Sequence, residues 1–426
     1  MLPASLTRQL TEIVGPDRVT EETAPFAVHG QAPALVITPA AVEDLSRAVA
    51  ACYAARVPLV PWGGGTRQRW GRPIAAETFV VLRTTGLRSI LMHEPDDLTI
   101  SVEAGMTFAA LDAALAGHNQ MLPLDPPRPA QSTIGGLLAS GADGPRRLAY
   151  GTSRDLLIGI RVVEATGRLS KAGGMVVKNV SGFDMMKLYL GSLGTLAIIV
   201  SANFKLIPRP RAAASVSCFF EPPERAFRLI SALSASQLTP VAVEYREDGV
   251  AANIEARIEG LPAAVERHVR DLRRMAEEAG AGAVSLSAEG PVAVEQRWAS
   301  FNEAPQTVDL AADELVARLS CLPGALETAL GDARALAAQA GLPLRVQAHA
   351  LSGVAYLRLR GGDEGLRAWH GAMLARWPHL VVIGAQPALA AELPVWGAAL
   401  ANLDLMRRIK QEFDPENLLN PGRYVV

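Results

Sequence analysis

The stretch PLVPWGGGTRQRWGRP, residues 58–73, places three consecutive glycines and a threonine directly after an apolar run. The run reads as a buried strand and the glycines as the loop that ends it. A Rossmann fingerprint would need GxGxxG between a strand and a helix, with an acidic residue about 20 positions on. GGGTRQRWG does not have that spacing, so the loop carries no recognisable nicotinamide fingerprint. What such a loop does offer is bare backbone, whose amides can approach an anion without interference from Cβ. It is a candidate pyrophosphate cradle, the alternative being a plain turn.

Outward from this loop, up to about residue 210, short β-rich runs (ALVIT 34–38, FVVL 79–82, LTISVEAG 98–105) alternate with helical patterns. In VEDLSRAVAACYAAR (42–56), apolar positions recur at three and four. The class is α+β. IPRPRAAAS (207–215) interrupts the pattern with Pro208 and Pro210, each restricting the backbone before it, and a domain boundary is expected there. From 214 the order is strand, helix, strand, strand, helix, strand (ASVSCFF, PERAFRLISALSAS, VAVEYRE, NIEARIE, PAAVERHVRDLRRMAEEAG, AVSLSAE), and from 315 the same order returns with LVARLSCL through HLVVIGA. This predicts a cap domain at 211–395, built from two βαββαβ (ferredoxin-like) halves, about 214–288 and 315–387, with their sheets side by side. Residues 396–426 read as an amphipathic helix closed by Pro415 and a turn at Asn420-Pro421-Gly422, a segment returning to the first domain, 1–210.

Composition excludes several classes of function. Lys+Arg 41 against Asp+Glu 43 gives a net charge of −2 over 426 residues, without the basic field of a nucleic-acid binder. Cys52, Cys218 and Cys321 are far apart and form no CxxC pair, so this chain holds no Cys-ligated iron-sulfur cluster. No apolar run is long enough for a transmembrane segment, and the N-terminus lacks the core of a signal peptide, so a cytoplasmic location is the expectation, peripheral to a membrane only through partners.

A second small-residue stretch is LDPPRPAQSTIGGLLASGADG (124–144). Here Ser132 and Thr133 are candidate caps of a helix carrying Gly135, Gly136, Ser140 and Gly141, whose N-terminal amides would be open to a phosphate. The structural alternative is close helix-sheet packing. A third stretch is GGMVVKNVSGFDMMKLYLGSLGTLAIIVSANFKLIPRP (173–210).

In order and spacing these three stretches resemble the FAD-binding domain of the vanillyl-alcohol oxidase family, the PCMH type. KNVSGFDMMKLYLGSLGTLAIIVSANFKLIPRP and FDPENLLNPGR (413–423) are similar to its D-2-hydroxyacid dehydrogenase branch, and SGADGPRRLAYGTSRDLLIGIRVV (140–163) resembles the E subunits of bacterial glycolate dehydrogenase, or glycolate oxidase. The resemblance implies a two-subdomain FAD-binding domain followed by the cap. It implies a pyrophosphate loop at Trp62, Gly63, Gly64, Gly65, Thr66 and Gly71, and a second cofactor segment at Ser132, Thr133, Gly135, Gly136, Ser140 and Gly144. Gly151, Gly194 and Ile198 would line the flavin or adenine. Neither His nor Cys occurs between Cys52 and His93, so a non-covalent FAD is expected.

Members of that branch that oxidise 2-hydroxy acids carry a cap motif like HxGDGNxH, whose imidazoles hold a divalent metal. The counterpart here, HALSGVAY, keeps His349 but has Ser352, Val354 and Tyr356 at the aspartate, asparagine and second histidine positions. The GEHG-type stretch is absent, and PVWGAALANLDL (394–405) stands in its place. No metal site is expected, and no catalytic residue is assigned. Lys178, Asn179 and Asp184 are candidate flavin-facing groups or turn residues, and Arg146 and Arg147 a candidate carboxylate clamp. The resemblance implies a redox subunit that works with a homologous catalytic flavoprotein and an iron-sulfur subunit on glycolate or a similar small 2-hydroxy acid. The alternatives are a self-sufficient dehydrogenase using His349 or Tyr356 as base, and a flavin-holding scaffold.

Overall fold

The computed structural model describes residues 2–176, 183–303 and 310–425. Two compact units result, one from Met1–Ala142, Thr152–Pro208 and Ala399–Val426, the other from Asp143–Gly151 and Arg209–Ala398. An FAD domain spanning all of 1–210 therefore needs correction. Asp143–Gly151 belongs with the second unit, held there by Arg146 and Tyr150, which reach Glu259 at 3.0 and 2.8 Å.

The first unit has two main sheets. One runs in the order Val19–Thr20, Leu35–Ile37, Val80–Arg83, Leu59–Trp62, its last three strands parallel. Strands buried on both faces are apolar almost throughout, as LVI and VVL are here. The helix Val42–Ala54 presents Leu45, Ala48, Val49 and Cys52 to a core shared with Ile37, Leu59 and Leu82 of this sheet and Val163, Ile198 and Val200 of the next. The second sheet is antiparallel, in the order Ile90–Glu94, Thr99–Glu103, Ala197–Lys205, Leu157–Glu164, Leu169–Gly173. The helices Phe108–Ala116 and Ile134–Ser140 share a core with Ile100, Val102, Ile160 and Ala202 from it.

The C-terminal segment is stitched onto the strand that precedes the glycine loop. Leu59 N donates to Leu418 O at 2.8 Å and Asn420 N to Leu59 O at 2.9 Å. Behind these bonds the buried Lys410 ammonium donates to Asp414 Oδ2 (2.5 Å), Thr195 O (2.8 Å) and Leu419 O (3.1 Å). Asp414 in turn accepts from the amides of Leu418 and Leu419. A buried ammonium is tolerated where carboxylate and carbonyl partners surround it.

The second unit is built on one antiparallel sheet of eight strands, in the order Ala283–Glu289, Ala212–Phe220, Ala252–Gly260, Ala242–Glu247, Leu344–His349, Val354–Arg360, Glu314–Ser320, Leu380–Gly384. The two βαββαβ halves are thus fused edge to edge, through the second strand of each, with Glu244 opposite His349 and Arg246 opposite Gln347. Alternation sorts the faces. Val216, Ile254, Tyr245, Ala348 and Leu357 lie in the core shared with the helices Ala226–Ala235, Pro262–Glu278, Leu326–Gln339 and Asp363–Arg376. Ser215, Glu255, Arg257, Glu244, Gln347 and His349 alternate with them and are also buried. The helix Pro291–Glu303 lies between the two halves, with its Val294, Trp298 and Phe301 buried.

Candidate functional site

The first unit contains one cleft on which three distant stretches converge. The glycine loop supplies Trp62, Gly63, Gly64, Gly65 and Thr66; the small-residue segment supplies Thr133, Gly135, Gly136 and Ser140; the third supplies Gly194 and Ile198. Those eleven expected residues share one lining. Thr84, Arg67, Asn420 and Arg423 join them.

Close packing, more than ligand approach, explains several of the glycines. A Cβ on Gly64 would stand 1.8 Å from Gln131 O, one on Gly63 2.1 Å from Thr133 Oγ1, and one on Gly135 2.9 Å from Ala104 Cβ. Gly65 adopts φ +71°, where a side chain is both strained and driven into the Trp62 indole, 2.8 Å away. The amides are what the loop leaves over. Among the described residues, no backbone carbonyl accepts from the N–H groups of Gly63, Gly64, Gly65 or Thr66. Four neighbouring donors without carbonyl partners lining a cleft form a site for an anion.

The helix after Thr133 behaves otherwise, and the expectation of open amides at its start is overturned. Ile134 N donates to Met106 O (2.9 Å), Gly135 N to Ala104 O (2.7 Å) and Gly136 N to the cap hydroxyl Thr133 Oγ1 (3.3 Å). Thr133 is the cap, while Ser132 Oγ donates to Pro127 O at 2.6 Å and touches the Thr66 hydroxyl at 3.4 Å. Small residues here bring helix and sheet together, and the anion-facing donors belong to the loop alone.

Four expected residues do not line the cleft. Ser132 lies behind it; Gly71 is bonded through its backbone to His29; Gly144 and Gly151 belong to the second unit. Arg146 and Arg147 do clamp carboxylates, but the chain's own: Arg146 pairs with Glu259 and Glu295, and Arg147 with Asp143 at 3.0 Å. Asp184 pairs with Lys187 at 2.6 Å, half-exposed. Lys178 and Asn179 lie outside the described residues.

Arg423 and Asn420 were not singled out from the sequence, although they stand in FDPENLLNPGR. Arg423, 4% exposed, donates to Gln68 Oε1 (2.8 Å), Gln68 O (2.8 Å) and Trp70 O (2.7 Å), tying the C-terminal turn to the far side of the glycine loop. Burial lowers its guanidinium to about 10, so the positive charge persists at neutral pH. Asn420 donates to Leu193 O at 2.6 Å, and its buried Oδ1 has no partner. Open loop amides, this orphaned acceptor and the guanidinium of Arg423 are a donor set that fits a flavin dinucleotide: amides and positive charge for the diphosphate, an amide oxygen for a ring or ribose donor.

In the second unit His349 is 3% exposed. Its Nδ1 is 2.5 Å from Glu244 Oε1, its ring lies edge-on to Tyr356 at 5.6 Å, and its Nε2 is buried without a partner. Gln347 donates to Glu244 Oε2 at 2.8 Å and to Phe301 O at 2.7 Å. Among the described residues no three His, Cys, Asp or Glu side chains are disposed to hold a metal ion.

Comparison with known proteins agrees with the cleft. Residues 33–182 match the FAD binding domain family, and residues 398–424 the C-terminal domain of FAD linked oxidases. Among curated proteins, glycolate oxidase subunit GlcD of Bacillus subtilis is 31% identical over 62% of this chain and 57% of its own length. Subunit GlcE of Escherichia coli is 36% identical over 38% of this chain and 45% of its own. A D-lactate dehydrogenase of Archaeoglobus fulgidus is 27% identical over 92% and 91%. The chain thus spans about half the length of the two glycolate oxidase subunits it matches. Among solved structures, 4-ethylphenol oxidase from Gulosibacter chungangensis superposes with a TM-score of 0.76 at 16% identity, over 99% of this chain and 96% of that one, a likeness of fold. The chain thus carries an FAD binding domain together with the C-terminal domain of FAD linked oxidases, and the donors of the cleft fit that cofactor.

Proposed function

We propose that this chain is an FAD-binding redox subunit of an assembly that oxidises glycolate or a similar small 2-hydroxy acid. Its partners would be a homologous catalytic flavoprotein and an iron-sulfur subunit. The observation that carries the reading is the contrast within HALSGVAY: the one imidazole left, His349, is engaged by the chain's own Glu244, and a tyrosine stands at the second histidine position. Similarity to subunits named for glycolate oxidase supports the choice of substrate class.

The loop amides Gly63 to Thr66 would hold the diphosphate, with Arg67 and Arg423 contributing positive charge beside it, while Thr133, Gly136, Ser140, Gly194, Ile198 and Asn420 line the remaining length of the cofactor. When bound, the flavin supplies a hydride or electron acceptor. Gly65, over the Trp62 indole, and Arg423, across the Gln68 and Trp70 carbonyls, keep the loop in the shape that presents its amides. Among the described residues no histidine or cysteine lines the cleft; a cofactor held there without a covalent bond would be released entirely on denaturation. Retention of flavin by the precipitated chain would contradict this.

A second reading has one observation in its favour, the free Nε2 of His349, which Glu244 would orient as a proton acceptor in a self-sufficient dehydrogenase. Steady-state assay of the flavin-loaded chain with an artificial dye acceptor separates the two. The subunit reading expects negligible turnover of glycolate and D-lactate alone, and activity on reconstitution with a homologous flavoprotein and a cysteine-rich iron-sulfur protein. Rapid turnover by the chain alone establishes the second reading.

A further inference from the structure

The second unit contains a cavity of its own, two residues along the same strands from Glu244 and His349. Arg246, Arg345 and Arg358 line it, together with Asn253 and Gln347. Arg246 sits opposite Gln347, and Arg345 sits directly opposite Arg358 in the strand ladder. Like charges facing each other across a ladder are destabilising unless something of opposite sign lies between or beside them.

Of the acids near this cavity, Glu247 and Asp248 are engaged elsewhere and Glu314 pairs with Arg358. Glu247 accepts from the Tyr245 hydroxyl at 2.5 Å and from Arg334 at 2.9 Å. Asp248 accepts through Oδ1 from the amides of Val250 and Ala251 in its own turn, leaving Arg345 a weaker interaction with it. Glu314 is shared between Arg358, at 2.6 Å, and Arg360, at 3.3 Å. The half-buried Arg246 pairs with no carboxylate among the described residues: its Nε donates to Gln347 Oε1 (3.0 Å) and one terminal nitrogen to Ser300 O (2.7 Å), while the guanidinium stacks on the Phe301 ring, 3.6 Å from its centroid. These contacts fix the guanidinium in place; burial lowers its pKa, and the charges of Glu244 and Glu255 offset only part of that. The side chain of Arg345 is exposed and makes no hydrogen bond or ion pair with a described residue.

We infer that this cavity is a binding site for a small di- or tricarboxylate anion, held between Arg246 on one strand and the facing Arg345 and Arg358 on the next two. A fixed, stacked guanidinium suits one carboxylate. Arg345, a diagonal neighbour on the next strand about 7–8 Å away by sheet geometry, with Arg358 one strand further on, suits another on the same short molecule better than a single compact oxyanion. The site is independent of the FAD cleft and of the proposed redox role.

Titration calorimetry on the flavin-loaded full chain tests it with succinate and citrate, against inorganic phosphate and acetate. The site predicts saturable binding of succinate or citrate, weakened about tenfold or more in Arg345→Gln, with flavin content unchanged and the thermal midpoint without ligand not lowered, since the exposed Arg345 faces Arg358 across the ladder. Arg246→Gln should weaken it at least as much; should that variant fail to fold, Arg345→Gln decides. No binding of either polycarboxylate, binding indifferent to Arg345→Gln, or binding of phosphate alone overturns the assignment.

Discussion

The glycine loop of the first unit and the charged sheet face of the second are both polar and largely enclosed, yet they solve the burial problem in opposite ways. The loop leaves backbone donors without protein acceptors at Gly63 to Thr66 and places arginines beside them. Around Glu259, in contrast, side chain meets side chain: Arg146, Arg257 and Tyr150 all reach its carboxylate, at 3.0, 2.6 and 2.8 Å, and Arg297 with Ser215 does the same for Glu255. A group left unsatisfied in a folded chain costs stability unless a ligand completes it, whereas a saturated network stabilises the fold and has little left to offer a substrate. The teaching of the contrast is that ligand chemistry in this molecule sits where partners are missing.

The sharpest way to break that contrast is to put a charge in the cleft. Ser140 lines it from the end of a helix, so Ser140→Asp adds a carboxylate without the backbone collision that any substitution at Gly64 would cause. Two negative charges about 4 Å apart at an effective dielectric near 20 repel by about 4 kcal/mol, so flavin affinity should fall by up to about a thousandfold. Equilibrium dialysis against FAD reads the loss, and circular dichroism should show the fold retained. Undiminished flavin would remove the diphosphate from this cleft.

The saturated network should respond in stability instead. Arg146→Met leaves Glu259 and Glu295 short of a partner in a buried setting, and about 3 kcal/mol should be lost in urea unfolding, with flavin affinity in the folded state little changed. The same network gives a pH dependence. Burial would push Glu259 up, but the guanidinia of Arg146 and Arg257 and the hydrogen bonds it accepts outweigh this and hold it below its ordinary value of 4.5. Glu314 is held low first by its bond from Arg358. A depressed carboxyl contributes stability that is present above the unfolded value and lost as the pH falls through the folded one. Urea midpoints should therefore be flat down to about pH 4.5 and decline below it, and Arg146→Met should decline less steeply. The smallest effect is expected at His349→Gln, about 1 kcal/mol from the altered bond to Glu244, with normal flavin content; loss of flavin there would give His349 a role the subunit reading lacks.

Much of this architecture was legible in the sequence for definite reasons. The double strand-helix-strand-strand-helix-strand order could be read because strands such as Ala242–Glu247 and Val354–Arg360 alternate apolar and polar residues between helical patterns. The sheets were expected side by side, but which strands join them could not be read, since pairing between Ala242–Glu247 and Leu344–His349 depends on contacts about 100 residues apart. The helix Pro291–Glu303 was missed because it falls between the repeats. In the cleft, the glycines drew attention to loops that do share one lining, but Gly63, Gly64 and Gly135 make room for neighbouring protein atoms, which the sequence pattern does not distinguish from ligand approach. Asn420 and Arg423 could have been found from the NPGR turn, whose polar residues have no packing role in an ordinary chain end. Arg146 was misjudged because its partners, Glu259 and Glu295, lie more than 100 residues away.

Anaerobic addition of glycolate or D-lactate to the flavin-loaded chain tests the proposed subunit role most directly, with the flavin's visible absorbance as the readout. The account predicts that the spectrum of the isolated chain stays oxidised on the timescale of turnover, and bleaches only once the homologous flavoprotein and the iron-sulfur protein are added. Prompt bleaching of the isolated chain by either acid would contradict it and make this protein a complete 2-hydroxy acid dehydrogenase.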